Sequence, residues 1–100
     1  MSEPLWAWSA TRLASAIKSR EVSSAEAVQS CLDRISEVNP YLNAVVSVQS
    51  EPALDAARLA DEAVASGAVT GPLHGVPITT KINVDQAGLP TTNGVTAFAD

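Results

Sequence analysis

The sequence predicts an α/β protein in which N-terminal helices precede the first strands of a mixed β-sheet flanked by helices. Apolar residues recur at helical spacing up to about residue 66, the short segment 44–48 is β-branched and apolar like a strand, and residues 76–85 predict a second strand. With 100 residues and 46% hydrophobic side chains, of which 17 are alanines, the chain can bury only a modest core. Length and composition therefore indicate one small domain or a piece of a larger one.

A first helix is predicted to begin at Ser9, a residue type that caps helix N-termini well. It should end near Ser19 or Arg20, because cations are favourable at a helix C-terminus. One apolar stripe should face the core, formed by Trp6, Ala10, Leu13, Ala14 and Ile17. We expect Trp6 to pack against this helix.

A second helix is predicted from a capping box, in which Ser23 caps the helix and Glu26 reaches back to it. Its core-facing stripe consists of Val28, Cys31, Leu32, Ile35 and Val38. Asn39-Pro40 should end this helix, because proline disfavours a helical conformation in the residue before it.

The next segments predict a strand, a third helix and a second strand. Residues 44–48 form the first strand, and the helix opens around Ser50-Glu51-Pro52 and stops at Ser66-Gly67. Its inner face should consist of Leu54, Ala57, Ala60, Ala63 and Val64. Residues 76–85 form the second strand, so that residues 44–84 make a right-handed βαβ unit if both strands share a sheet. Two strands are not stable alone, so either further strands complete the sheet or these segments have an arrangement other than a sheet.

The charge pattern excludes several functional classes. The net charge of −5 and the lack of any basic run argue against direct nucleic-acid binding. No apolar run approaches the roughly 20 residues that span a bilayer, so we expect no membrane partner. A single cysteine, Cys31, cannot form an internal disulfide, and the N-terminus does not resemble a signal peptide. These features predict a cytoplasmic protein.

Lys81 is the residue that the composition leaves most in need of explanation. It is the only basic residue after Arg58, and residues 63–100 hold just three of the seventeen charged side chains. In the predicted strand Lys81 shares a polar face with Thr79, Asn83 and Asp85. That face either lies in water or forms a partly buried pocket, where the pKa of the lysine could fall enough for it to act as a base.

Residues 71–94 carry a resemblance to a known family. Residues 71–77 read GPLHGVP, Lys81 follows, and residues 88–94 read GLPTTNG. This order resembles the amidase signature family, in which G-P-L-H-G-I-P precedes K-D-N and P-T-T-x-G-S. The earlier sequence NPYLNA at 39–44 is similar to the family's N-P-x-L-N-A, and so are the Ser-x-x-Glu helix start and the Arg34-Ile35 pair. The resemblance thus covers essentially the whole chain and is most specific in residues 71–94.

The resemblance implies an amidase that hydrolyses a carboxylic amide C–N bond through a Ser–cis-Ser–Lys triad. It identifies Lys81 as the triad lysine, a general base that takes a proton from the bridging serine and so activates the nucleophilic serine. It implies a small-molecule amide substrate and neither a metal nor an organic cofactor, and it is compatible with a homo-oligomer. It also implies that residues 1–100 are the N-terminal fragment of a single larger amidase domain.

Three departures from the family pattern bear on this interpretation. Ile82 stands where the family often has Asp, and Val95 stands where it has Ser after P-T-T-x-G. No serine follows Ser66 and no two glycines are adjacent, so the Gly/Ser-rich part of the family is absent. Both triad serines would lie beyond Asp100, and we predict that the 100-residue fragment alone has no amidase activity.

Two other functions stay open from the sequence alone. The parent protein could be the glutamine-dependent amidase component of an aminoacyl-tRNA amidotransferase, which would need partner subunits. Alternatively, the chain could be a non-catalytic helical interaction module, which predicts an exposed Lys81 that titrates normally. His74, the only histidine, has no partners in sequence that would indicate a triad or a zinc site, so we expect it to shape its loop.

Overall fold

The computed structural model describes residues 3–80, and this part of the chain is helical. A 3₁₀ turn at Leu5–Ala7 leads into α1 (Ala10–Lys18), α2 (Ser24–Leu42) and α3 (Ser50–Ala65). Helix α2 packs along α3 and against the 3₁₀ turn, and α1 contacts α3. The loop after α3 then passes over the N-terminal end of α2, where Gly75 meets Ser24.

The predicted helix starts are confirmed by hydrogen bonds at their first turns. The side chain of Ser9 accepts the N–H of Arg12 at 3.1 Å. At α2 the capping box is complete, because Ser23 Oγ accepts the N–H of Glu26 and Glu26 Oε1 accepts the N–H of Ser23, both at 3.0 Å. Two polar side chains thus satisfy backbone donors that a helix cannot pair internally.

Helices α1 and α3 end in the same hydrogen-bonded turn, close to the predicted positions. In α3, Gly67 takes a left-handed conformation (φ 77°), and the amides of Gly67 and Ala68 return to the carbonyls of Val64 and Ala63. In α1 the corresponding left-handed residue is Arg20 (φ 66°). A glycine is the usual residue at this position because it has no Cβ to clash.

The predicted end of α2 at Asn39-Pro40 is wrong, because the helix continues through Pro40 to Leu42. The bias against helix before a proline is a preference, and here the proline removes only one hydrogen-bond donor near the C-terminus. The helix closes when Asn43 adopts φ 52° and its N–H bonds to the Asn39 carbonyl at 2.7 Å. The Asn39 side chain also bonds to both the N–H and the carbonyl of Val45.

The core lies between the three helices and is made mainly of small and aliphatic side chains. Leu13, Ile17 and Ala27 are buried together. Partly buried neighbours pack around them, namely Leu5, Trp8, Val22, Val64 and Val76. Ala57 of α3 is also buried, which confirms that the alanine-rich face of this helix points inward. Short side chains on this face allow helices to approach closely.

The predicted role of Trp6 at helix one is wrong. Trp6 is 42% exposed and lies on α2. Its backbone N–H donates to Ser30 Oγ, and the Arg34 guanidinium stacks 4.4 Å from the centre of its ring. Trp8 packs against the core instead, with Arg12 stacked 3.6 Å from its ring centre. Trp6 lies within the 3₁₀ turn whereas Trp8 is its extended C-terminal cap, so the two tryptophans have different backbone conformations.

The two predicted strands are not observed within residues 3–80, which contain no β-strand. Residues 44–48 form an irregular connection in which Val46 is 75% exposed. β-branched residues favour an extended backbone, but a strand also needs a neighbouring strand to which it can hydrogen-bond. Here the backbone N–H and carbonyl of Val45 are hydrogen-bonded to the Asn39 side chain instead. In the second segment, residues 76–80 are likewise irregular, and residues 81–85 lie outside the described residues. The predicted βαβ unit is therefore not seen.

None of the helices within residues 3–80 is long and apolar enough to cross a membrane. The cytoplasmic location stays a prediction.

Candidate functional site

The candidate site centres on the loop at residues 71–75, which precedes Lys81 in the sequence. Lys81 itself, the departures at Ile82 and Val95, and the 88–94 segment lie outside the described residues. The structure therefore describes the chain that precedes Lys81, the predicted base, as far as Thr80. We call residues 71–75 the GPLHG loop.

Two successive turns shape the GPLHG loop. The N–H of His74 donates to the Gly71 carbonyl and the N–H of Val76 donates to the Leu73 carbonyl, both at 3.2 Å. Gly75 has φ 81°, a conformation that side chains with a Cβ rarely adopt. A Cβ at Gly75 would also lie 3.1 Å from Ile17 Cγ2 and 3.1 Å from Ser24 Cβ. The loop backbone thus rests directly on the side chains of α1 and α2.

Ser24 joins α2 to this loop. Its side chain is 1% exposed, and its Oγ–H donates to the Gly75 carbonyl at 2.6 Å. The neighbouring Ser23 already caps α2, so the buried Ser24 hydroxyl is available to the loop. The short distance and the burial indicate a well-defined contact, since a buried hydroxyl without a partner would cost free energy.

Asp61 of α3 holds the same end of α2 from the other side. Its Oδ1 accepts the N–H of Ser24 at 2.7 Å and its Oδ2 accepts the N–H of Ala25 at 3.1 Å. A carboxylate at a helix N-terminus is favoured both by the charged hydrogen bonds and by the helix dipole. Asp61 therefore fixes α3 to the residue that carries the loop contact.

His74 attaches the loop to α3. Its Nε2 lies 2.9 Å from the Ala60 carbonyl oxygen, and because a carbonyl only accepts, Nε2 must carry the hydrogen. This contact supports the expectation that His74 shapes its loop. Ser24 and His74 thus connect the GPLHG loop to α2 and α3, and Asp61 connects these two helices to each other.

Comparison with known proteins decides the family of this scaffold. The Amidase family model matches residues 26–100, three quarters of the chain, including both the GPLHG loop and Lys81. The chain belongs to the amidase family. This membership confirms the resemblance drawn from residues 71–94.

Two relatives show how this amidase segment compares with longer proteins. An indoleacetamide hydrolase of Bradyrhizobium diazoefficiens is 53% identical over 97% of the chain and 18% of its own length. A glutamyl-tRNA(Gln) amidotransferase subunit of Salinispora tropica is 43% identical over 96% of the chain and 20% of its own length. The amidase chain thus spans about a fifth of the length of the curated relatives it matches.

Sequence reasoning missed Ser24 and Asp61, although the amidase sequence contains a signal for each. Asp61 follows Leu54 and Ala57 at helical spacing and precedes Val64, so an acidic residue falls on the inner face of α3. An acidic residue on such a face needs a partner. Ser24 is the second of two serines at a helix start where one suffices as a cap.

Cys31 is not a reactive group in the described part of this amidase. It lies partly buried on α2, as its place in the apolar stripe predicts. Burial raises the pKa of the Cys31 thiol, which keeps it protonated at neutral pH. A protonated thiol is a poor nucleophile.

We expect Asp61→Ala to destabilise the chain strongly, because Asp61 lies on the inner face of α3 and binds α2. Loss of two charge-assisted hydrogen bonds should lower the free energy of unfolding by about 2–3 kcal/mol. The matched control is Asp55→Ala on the same helix, whose carboxylate pairs with exposed Arg58. It should cost about 0.5 kcal/mol or less. Urea unfolding followed by circular dichroism measures both, and equal losses would contradict the proposed anchoring.

Proposed function

We propose that this chain is the N-terminal part of a longer amidase that hydrolyses a carboxylic amide C–N bond. The observation that carries the proposal is the family match over residues 26–100, which includes Lys81 and the loop before it. The chain covers about a fifth of its relatives, which supports an active site completed by residues outside it.

In the proposed mechanism Lys81 is the general base of a Ser–cis-Ser–Lys triad. Neutral Lys81 takes a proton from the bridging serine, which takes one from the nucleophilic serine as that oxygen attacks the amide carbon. The C–N bond breaks, the nitrogen leaves with a proton, and an acyl-enzyme ester is formed. Water then attacks the ester, releases the carboxylic acid and regenerates the serine, while backbone N–H groups stabilise the oxyanion in both steps.

The substrate class that we propose is a carboxamide on a small aromatic acid. The support is the 53% identity to a protein named for indoleacetamide hydrolysis. Indoleacetamide is therefore the first substrate to test, with benzamide and acetamide as aromatic and aliphatic comparisons.

The second candidate is the amidase component of a glutamine-dependent tRNA amidotransferase. The 43% identity to a glutamyl-tRNA(Gln) amidotransferase subunit favours it. This candidate predicts ammonia release from glutamine and stable association with partner subunits, whereas a free-standing amidase needs neither. Membership of the amidase family favours either enzyme over a helical interaction module.

The deciding experiment measures ammonia release by the full-length protein and by the 100-residue chain. We expect the full-length protein to hydrolyse indoleacetamide in preference to glutamine, and the 100-residue chain to hydrolyse neither, because it lacks the triad serines. If the 100-residue chain hydrolyses an amide and Lys81→Ala abolishes this activity, the proposal that the triad serines lie outside the chain is contradicted. Preference for glutamine would favour the amidotransferase component.

A further inference from the structure

The described residues show how the backbone that leads to Lys81 is held. The carbonyl of Gly75 is bound by a buried side chain, and only six positions separate Gly75 from Lys81 in sequence. Six residues span at most about 20 Å even when fully extended, so the position of Gly75 limits where Lys81 can lie.

Three contacts hold the loop at Gly75. Ser24 Oγ–H binds its carbonyl at 2.6 Å, and Ile17 and Ser24 fill the space where a side chain would stand. The ring of His74, the residue before Gly75, is bound to the Ala60 carbonyl. Of these three contacts, only the one from the Ser24 hydroxyl acts on the Gly75 carbonyl itself.

Ser24 is held at the start of α2 by a side chain from another helix. The capping box satisfies the N–H groups of Ser23 and Glu26 and leaves those of Ser24 and Ala25 to another acceptor. Asp61 of α3 accepts both of these N–H groups, and Ser24 is almost fully buried. The arrangement fixes the Ser24 hydroxyl relative to both α2 and α3, and through it the start of the segment that ends at Lys81.

We propose that Ser24 is a positioning residue for amide hydrolysis, because its buried hydroxyl fastens Gly75 and so sets where the following residues place Lys81. This inference rests on the proposed role of Lys81 as general base. A base must lie within hydrogen-bond reach of the proton it takes, and displacement of a reacting group by about 1 Å can cost as much as 100-fold in rate. Ser24 acts through Gly75 and does not touch the substrate.

The test compares Ser24→Ala with Ser23→Ala in the full-length enzyme. The two serines are adjacent at the start of α2, and of the two it is Ser24 that binds the loop. We expect Ser24→Ala to lower kcat for indoleacetamide about tenfold with KM nearly unchanged, because the base is misplaced while binding surfaces remain. The acidic limb of its kcat–pH profile should also shift, since a displaced lysine meets different neighbours.

Ser23→Ala should keep the wild-type kcat and pH profile while lowering Tm, because it loses only a helix cap. The inference is overturned if Ser24→Ala folds and its kcat and pH profile match those of Ser23→Ala. If Ser24→Ala does not fold, Ser24→Cys decides, because cysteine tolerates burial and donates only weakly. A reduced kcat with a shifted profile in Ser24→Cys supports the inference, and wild-type values overturn it.

Lys81→Met in the same enzyme separates this inference from the proposed function. If Lys81→Met keeps wild-type activity, the proposed base is wrong and the positioning role falls with it. If Lys81→Met is inactive and the Ser24 variants behave like Ser23→Ala, only the positioning role is wrong.

Discussion

Replacement of Lys81 by methionine in the full-length enzyme is expected to reduce kcat for amide hydrolysis by about 10²- to 10⁴-fold. Methionine has a similarly long, unbranched side chain but cannot accept a proton from the bridging serine. Lys81→Arg should be equally inactive, because a guanidinium stays protonated at any pH at which the protein is folded. Ammonia release under saturating indoleacetamide measures the effect.

The control for Lys81 is Arg58→Met on α3, where the arginine is exposed and pairs with Asp55. It also removes one positive charge and should leave kcat within about twofold of the wild type, since substitutions of exposed residues away from a site have small effects. A Lys81→Met enzyme that retains about a tenth of the wild-type kcat would contradict the general-base role, for which a loss of at least 10²-fold is expected. The interaction-module interpretation predicts instead that no variant, and not the wild type either, hydrolyses the amide.

Gly75→Ala is expected to lower the free energy of unfolding of the chain by about 2–4 kcal/mol. Two costs add, because the left-handed backbone costs a residue with a Cβ about 1 kcal/mol or more, and overpacking costs about 1–3 kcal/mol. The overpacking arises because the new Cβ would lie 3.1 Å from both Ile17 Cγ2 and Ser24 Cβ. Urea unfolding measures the total.

Two other glycines separate these costs. Gly67 has φ 77° and no neighbouring atom within 4 Å of an added Cβ, so Gly67→Ala should show the backbone cost alone, about 1 kcal/mol. Gly71 has neither a positive φ nor such neighbours, so Gly71→Ala should be neutral within about 0.5 kcal/mol. If Gly75→Ala costs no more than Gly67→Ala, the packing of the loop against α1 and α2 is not tight.

Local signals in the sequence are sufficient wherever a few adjacent residues determine the structure. The capping box of Ser23 and Glu26 and the stop at Gly67 are of this kind, because each depends on atoms within one helical turn. The resemblance of residues 71–94 to the amidase family is equally informative, because it depends on an ordered set of uncommon residues.

Features that depend on distant residues are not predictable in the same way. Residues 44–48 have the composition of a strand, but no strand pairs with them within residues 3–80, and Asn39 binds Val45 instead. Pro40 predicts an earlier end to α2, yet its position in the last turn lets the helix continue. The contact between Ser24 and Gly75 joins residues 51 positions apart, which no local pattern reveals.

Ile17 belongs to the hydrophobic core and also supports the GPLHG loop. Ile17 is 2% exposed at the centre of the core, and its Cγ2 also forms the floor beneath Gly75. Replacing Ile17 with a smaller or differently branched residue would change both the packing of the core and the surface on which Gly75 rests. Natural variation at Ile17 is therefore constrained by the position of the loop as well as by the packing of the core. Neutral drift in this interior should be slower than in a core that supports no such loop.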